Sequence, residues 1–273
     1  MNLDYDFEYD GRLLSDAGFI LCTFDSPGLD APDSGARITF TTVSGNGGER
    51  YFLAGTKYDS CIQSEFSICK NPDIYFGNEF YITDNEYREI VRWLNRRDFH
   101  KFRLIDYDGF DGERCYFYAS FNLKKRMLAN RIVGIDLELE TNAPFGFGDM
   151  YVCTIVASDT SGKYKVSAVS DDEGIIYPSM EIACLGDGDL QIRNENEDIN
   201  MIIKGCKNGE IITIDGETLT ISSSLSEHKL EKDFNFIFFR LRNAYRDLTN
   251  TVSVTLPCKI KLFYEPIIKD TPF

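Results

Sequence analysis

The stretch GEIITIDGETLTISSS, Gly209 to Ser224, separates two kinds of protein: one that does chemistry and one that builds something. It sets two carboxylates, Asp215 and Glu217, at the tip of two apolar runs. Ile212 and Ile214 alternate with Thr213, and Leu219 and Ile221 alternate with Thr218 and Thr220. Alternation with period two, rich in β-branched residues, marks strands with one buried face. Asp-Gly between such runs predicts a hairpin with a type I′ turn. That turn needs φ > 0 at both central positions, which Asp and Gly tolerate. Turn chemistry alone therefore accounts for Asp215.

The same pattern extends outward through most of the 273 residues. At about 100–200 residues per domain, this length gives two domains or one large β domain. Hydrophobic residues make up 43% and charged residues 27%, enough apolar material for two cores. The 21 Phe and 15 Tyr suit strands more than helices. A net charge of −15 argues against a nucleic-acid-binding groove and against docking on an anionic membrane. It leaves two readings open: plain solubility, or an acidic surface past which DNA slides without sticking.

The eight cysteines, at 22, 61, 69, 115, 153, 184, 206 and 258, form no C-x-x-C pair, and His100 and His228 lie far apart without ligand spacing. A structural zinc site would want such pairs. MNLDYDFEYDG at the start has neither a basic region nor an apolar core, so no signal peptide is expected. The cysteines are read as reduced small hydrophobes of a cytoplasmic product. No apolar run approaches the length of a membrane span.

Short strand-like runs fill the first half: YDFEY, then ARITFTTV, RYFLAGTKY and SCIQSEFSICK, with the Gly-rich VSGNGGE among them. ITDNEYREIVRWLNRRD, Ile82 to Asp98, is the exception and predicts a helix. Thr83 and Glu86 form a capping box, acids sit in the first turn and arginines in the last, and Tyr87, Ile90, Val91 and Leu94 share a face with Trp93 at its flank. Its expected role is to cover a sheet. In RIVGIDLELET, Val133, Ile135, Leu137 and Leu139 alternate with Gly134, Asp136, Glu138 and Glu140, a strand with a wet acidic face.

TNAPFGFGD, Thr141 to Asp149, continues no period and is punctuated by Pro144, Gly146 and Gly148. The expected division is residues 1–143, a linker at 144–150 and a second domain at 151–273. The second half reads as strands with turn signals every 8–12 residues or so, the spacing of a β-sandwich. The fold class expected is mainly β.

Candidate chemistry is thin. IDYDGFDGER offers Asp106, Asp108, Asp111 and Glu113, but an EF-hand loop wants an oxygen ligand fifth and Gly sixth, where Phe110 and Asp111 stand. SDDEGIIYP and CLGDGDLQIRNENED are acid-rich, yet among 44 acids carboxylate pairs arise by chance. There is no G-x-S-x-G elbow, no phosphate loop and no dinucleotide fingerprint. No catalytic, cofactor-binding or metal residue is assigned, and no enzyme activity or cofactor is expected.

Taken in order, several phrases resemble the distal tail protein (Dit) family of siphophages and prophages. FEYDGRLLSDAGFIL resembles the family's opening, EYREIVRWL its single helix and TNAPFGFGD its junction. SDDEGIIYPSMEIAC, GDLQIRNEN, KGCKNGEIITIDGETLTISSS and KDFNFIFFRLRNAYRDLTNTVSVTLPCKIKLFYEPI resemble its C-terminal domain. The resemblance covers nearly the whole chain. It implies an N-terminal β-sandwich or barrel-like domain with one helix, tail-tube-like and ring-forming, plus a C-terminal galectin-like β-sandwich. It further implies a homo-hexameric hub in the virion at the tail tip, assembled in the bacterial cytoplasm, with single or back-to-back rings left open. Its implied partners are further copies of itself, the tail tube protein, tail-tip or tail-associated proteins and the tape-measure protein. DNA would pass through without specific binding, and no membrane is involved. Some relatives carry sugar-binding insertions, but a second half of about 120 residues is the size of one sandwich. The alternative is a carbohydrate-binding module for host recognition. Against it, Trp93, the one tryptophan, falls on the predicted helix and outside the sandwich.

Overall fold

The computed structural model describes residues 5–22, 24, 37–45, 48–57, 61–106, 115–158, 162–197, 199–245 and 248–269. The chain divides into two compact units, Met1–Phe147 with Ile268–Phe273, and Gly148–Ile267. Both are mainly β, the class expected from period-two alternation. Among the described residues no helix is long and apolar enough to cross a membrane.

In the first unit the strands are β1 (Tyr5–Tyr9), β2 (Arg12–Leu13), β3 (Phe19–Cys22), β4 (Arg37–Gly45), β5 (Gly48–Lys57), β6 (Gln63–Lys70), β7 (His100–Asp106), β8 (Phe117–Leu128), β9 (Arg131–Thr141) and the short β10 (Gly146–Phe147). Seven of them form one antiparallel sheet in the order β2-β1-β7-β8-β9-β6-β3. Phe7 on β1 and Phe66 on β6 are four strands apart in that order, yet their rings are 5.9 Å apart. The sheet therefore curls round its own core, where Phe7, Phe102, Phe117 and Phe121 are fully or almost fully buried. β4 and β5 stand apart as a two-stranded sheet paired along their length, with no third strand among the described residues.

Helix α1 (Asp84–Leu94) starts where the capping box places it. Glu86 N–H donates to Thr83 Oγ1 at 3.3 Å, and Thr83 N–H to Glu86 Oε2 at 2.7 Å. Trp93 is central to the buried face, with Ile90 and Leu94, while Tyr87 and Val91 are half-buried. The expected flanking role for Trp93 is thus corrected. Its indole N–H finds the Tyr9 carbonyl at 3.1 Å and draws the ring inward. Lys70, almost fully buried at the end of β6, ties the helix down. It donates to the Glu79 carbonyl at 2.9 Å and pairs with Glu86 at 2.7 Å.

Alternation in β9 holds for Ile135, Leu137 and Leu139 and breaks at Val133, which is half-buried. Arg126 faces Gly134 and the next residue, Met127, faces Ile132, so Val133 is the extra residue of a β-bulge. Asp6 is a buried acid on β1. It is buried because its carboxylate accepts from the Phe7 amide at 2.8 Å and the Ser15 hydroxyl at 2.5 Å.

The second unit is a sandwich of β11 (Tyr151–Ala157), β12 (Lys163–Ser167), β13 (Gly174–Ile176), β14 (Ser179–Cys184), β15 (Gly188–Asn194), β16 (Ile199–Cys206), β17 (Ile211–Asp215), β18 (Thr220–Ser223), β19 (Leu241–Asn243), β20 (Thr249–Val254) and β21 (Cys258–Tyr264), with one turn of helix, α2 (Leu230–Asp233). One sheet runs β11-β21-β14-β17-β18 and the other β12-β20-β15-β16. Ile155, Ile260, Ile182 and Ile212 form one inward-facing row across the first sheet. Val254, Ile192 and Met201 form its counterpart on the second. Side chains from both inner faces make one continuous core.

Candidate functional site

Asp215 and Glu217 sit in a hairpin, as the alternation requires, but not in the turn expected. Asp215 pairs with Thr220, so Gly216 to Leu219 form a four-residue loop. Neither Asp215 nor Gly216 has positive φ; Leu219 does, at 51°. The type I′ assignment is therefore corrected. Asp215 Oδ1 instead accepts the amides of Glu217 at 2.8 Å and Thr218 at 3.0 Å, an Asx turn. Those backbone bonds, Thr218 foremost, hold its carboxyl below the usual range. Gly216 is required for a different reason. A Cβ there would collide with the Tyr177 carbonyl and the Pro178 backbone. Asp215 thus serves the turn, which Glu217 joins through its backbone amide.

Acids of CLGDGDLQIRNENED are taken up locally as well. Asp187 caps the Asn208 amide at 2.7 Å and Asp189 caps the Gly205 amide at 2.9 Å. Glu197 pairs with Arg240 at 2.6 Å. Of the IDYDGFDGER acids, Asp108, Asp111 and Glu113, like the turn inside VSGNGGE, lie outside the described residues; the backbone of Asp106 ends β7. Among the described residues, no group of three or more His, Cys, Asp or Glu side chains is placed to hold a metal ion.

One constellation escaped the sequence. Glu210 is fully buried, and its Oε1 accepts from Ser223 Oγ at 2.5 Å and lies 2.5 Å from His228 Nδ1. Its Oε2 accepts the Lys207 amide at 2.9 Å. His228 Nε2 meets the Lys204 carbonyl at 2.8 Å. Both ring nitrogens thus face acceptors, which only the doubly protonated imidazolium satisfies. Burial opposes both charges. On Glu210, the bonds from Ser223, His228 and Lys207 outweigh it and lower the carboxyl. On His228, the Glu210 bond and charge, with the Lys204 carbonyl, outweigh it and raise the imidazole. Ser, His and Glu are the residue types of a hydrolytic triad, but the geometry is not one. A triad needs the serine on the histidine's free nitrogen, and here that nitrogen faces a backbone carbonyl. The cluster is a buried ion pair that staples the segment after β18 to the β16–β17 turn.

All eight cysteines are free, and Cys69, Cys184, Cys206 and Cys258 are buried. The hydrogen bond with Cys184, and then burial, hold the Cys206 thiol protonated; burial pushes Cys258 up to about 12. Such thiols pack as apolar groups and are poor nucleophiles. Trp93 lies in the core of the first unit and offers no face to a sugar.

Comparison with known proteins is consistent with a building role. Residues 3–143 match the model of a phage tail protein N-terminal domain, and residues 145–264 that of a phage tail C-terminal domain. No curated protein matches the chain. Among solved structures, the chain is similar to SPP1 Dit (gp 19.1), described as a paradigm of the hub adsorption apparatus in phages infecting Gram-positive bacteria. The TM-score is 0.62 at 11% identity, over 96% of this chain and 98% of that one. The likeness shows the fold. Chains of the phage p2 baseplate, in its activated conformation with Sr and with Ca, align with TM-scores of 0.46 and 0.45 at 11% and 12% identity. They cover 95% of this chain and 97% of theirs.

Proposed function

The chain belongs to the phage tail protein family, and from that premise we propose that it forms a ring of six copies at the distal end of the tail. The ring joins the tail tube to the tip or baseplate proteins and gives DNA a channel. Tube, tip and tape-measure proteins are its partners, and it is assembled in the bacterial cytoplasm before it becomes part of the virion. In this reading the first unit forms the ring. The reading is carried by the two tail-protein matches, in order along one chain that has the fold of a hub protein.

Two physical features support it. The β4–β5 sheet has only two strands among the described residues, and an isolated pair is marginal in water. Its open edges offer backbone donors and acceptors to a neighbour. On the outer face of the large sheet, exposed Glu65 stands directly opposite exposed Glu138, with Glu140 one row on. Like charges directly opposed destabilise a sheet. An acidic row kept at that cost suits a lumen that repels DNA.

Light scattering on the purified chain, with negative-stain imaging of the same peak, tests the proposal. Rings of six or twelve copies are expected. A single-chain mass at every concentration, together with glycan binding by the whole protein, would favour a carbohydrate-binding module instead.

A further inference from the structure

Three of the second unit's four cysteines meet at one end of its core. Cys184 ends β14, Cys258 opens β21 and Cys206 ends β16, and all three are fully buried. Cys184 and Cys258 stand directly opposite each other on neighbouring antiparallel strands. They are the last rung of an inward-facing ladder that runs through Met180–Leu262 and Ile182–Ile260.

The backbone fixes how close this pair comes. The Cys184 N–H donates to the Glu210 carbonyl at 2.8 Å, and the Cys184 carbonyl accepts from the Gly209 N–H at 2.9 Å. Both backbone groups of Cys184 thus turn away from β21. The bond to that side is made by the next residue, whose N–H donates to the Pro257 carbonyl at 2.8 Å. Cys184 and Cys258 are therefore a non-hydrogen-bonded pair, the type whose Cα atoms approach to about 4.5 Å and whose side chains lie closest. A disulfide accepts Cα separations of about 4.4–6.8 Å. Cys206 is placed differently. It lies in the facing sheet, and stacked sheets stand about 10 Å apart, too far for that bond. Its thiol reaches Cys184 as a hydrogen-bond partner, and that bond favours the Cys184 thiolate, the reactive form.

We infer that Cys184 and Cys258 are a site of oxidative modification, closed to a disulfide by hydrogen peroxide. The Cys184 thiolate attacks one peroxide oxygen and breaks the O–O bond. The departing hydroxide takes up the proton that Cys184 gave up and leaves as water, and Cys184 becomes a sulfenic acid. The Cys258 sulfur then attacks the Cys184 sulfur, and the displaced hydroxide leaves with the Cys258 proton as a second water. The two thiols lose two electrons and the peroxide gains them. A water-sized oxidant suits a buried pair, and fixed proximity offsets the weak nucleophilicity that burial gives Cys258. The bond closes the chain round all of β15 to β20 and so stabilises the sandwich by restricting its unfolded state. The inference does not depend on the ring reading.

The test treats the full, reduced chain with hydrogen peroxide, removes the oxidant, alkylates the remaining thiols in denaturant and maps the peptides by mass spectrometry. Cys184 and Cys258 are expected in one linked peptide pair, two hydrogens lighter than its parts. The Tm is expected to rise and to fall back when dithiothreitol is added. Cys206→Ala is expected to keep the link. Cys258→Ala is expected to lose it and to leave a Cys184 sulfenic acid that dimedone traps. Wild-type protein whose Cys184 and Cys258 are both still alkylated in full after peroxide overturns the inference. So does a link from Cys184 to any other cysteine, or Cys184 oxidised to a sulfinic acid beside an unchanged Cys258.

Discussion

Trp93 lies flat on Phe7, with ring centroids 5.8 Å apart and planes 19° apart, and its indole N–H donates to the Tyr9 carbonyl. One side chain thus fastens the only helix of seven residues or more, among the described residues, to β1 by area and by a hydrogen bond. Trp93→Phe keeps an aromatic ring in place but orphans the carbonyl, so it is expected to cost about 1–3 kcal/mol. Trp93→Ala removes both contributions and is expected to cost about 3–5 kcal/mol. Urea unfolding followed by circular dichroism separates the two. Equal losses would assign the whole effect to the hydrogen bond.

The Glu210–His228 pair makes stability depend on pH in a defined direction. His228 is raised in the fold, so its contribution is complete below its ordinary 6.5 and is lost as pH rises through the higher folded value. Glu210 is lowered, so its contribution is complete above its ordinary 4.5 and is lost as pH falls through the lower folded value. Between those ordinary values both contribute fully. The difference in urea midpoint between wild type and His228→Gln is expected to be largest there and to shrink on the alkaline side. A difference that stays constant from about pH 5 to about pH 9 would remove the imidazolium from the account.

At the β17–β18 hairpin the two non-helical backbone features predict opposite signs. Gly216→Ala drives a methyl group into the Tyr177 carbonyl and Pro178 and is expected to destabilise by about 1–3 kcal/mol. Leu219→Gly relieves a leucine held at positive φ and is expected to cost little or to stabilise by up to about 1 kcal/mol. Thermal melts of both variants check the pair. A destabilised Leu219→Gly would mean that the half-exposed leucine side chain is worth more than the backbone relief.

Glu65→Gln removes one of two directly opposed carboxylates. It is expected to raise stability by about 0.2–1 kcal/mol, with the gain fading as salt is added. In an assembled tail the same change is expected to slow DNA ejection, since it weakens the repulsion proposed for the lumen. A salt-independent gain would mean that packing rather than charge is relieved.

These residues also mark what a linear reading can reach. The Thr83–Glu86 capping box and the rows through Ile182 and Ile212 were legible, because each is set by neighbours two to four positions away. The turn at Asp215 was not, because what demands glycine at 216 is a carbonyl 39 positions earlier in the chain, on Tyr177. Helical periodicity sets Trp93 at the flank because it cannot see an acceptor on β1. Val133 falls out of phase through a bulge beside Gly134, and a strand glycine marks such a site without saying which residue is the extra one. Glu210 and His228 are 18 residues apart with no motif between them, so only folding joins them. The family resemblance came from phrase order along the whole chain, and both family matches agree with it.

The two hydrophobic cores share no residue: one draws on Phe7 to Leu139, the other on Ile155 to Tyr264. Cooperativity is a property of shared packing, so each core is expected to unfold as its own cooperative unit. A single melting temperature is then not a constant of this molecule. Calorimetry should return a van't Hoff enthalpy smaller than the measured heat, and a substitution in either core should move one transition while leaving the other in place.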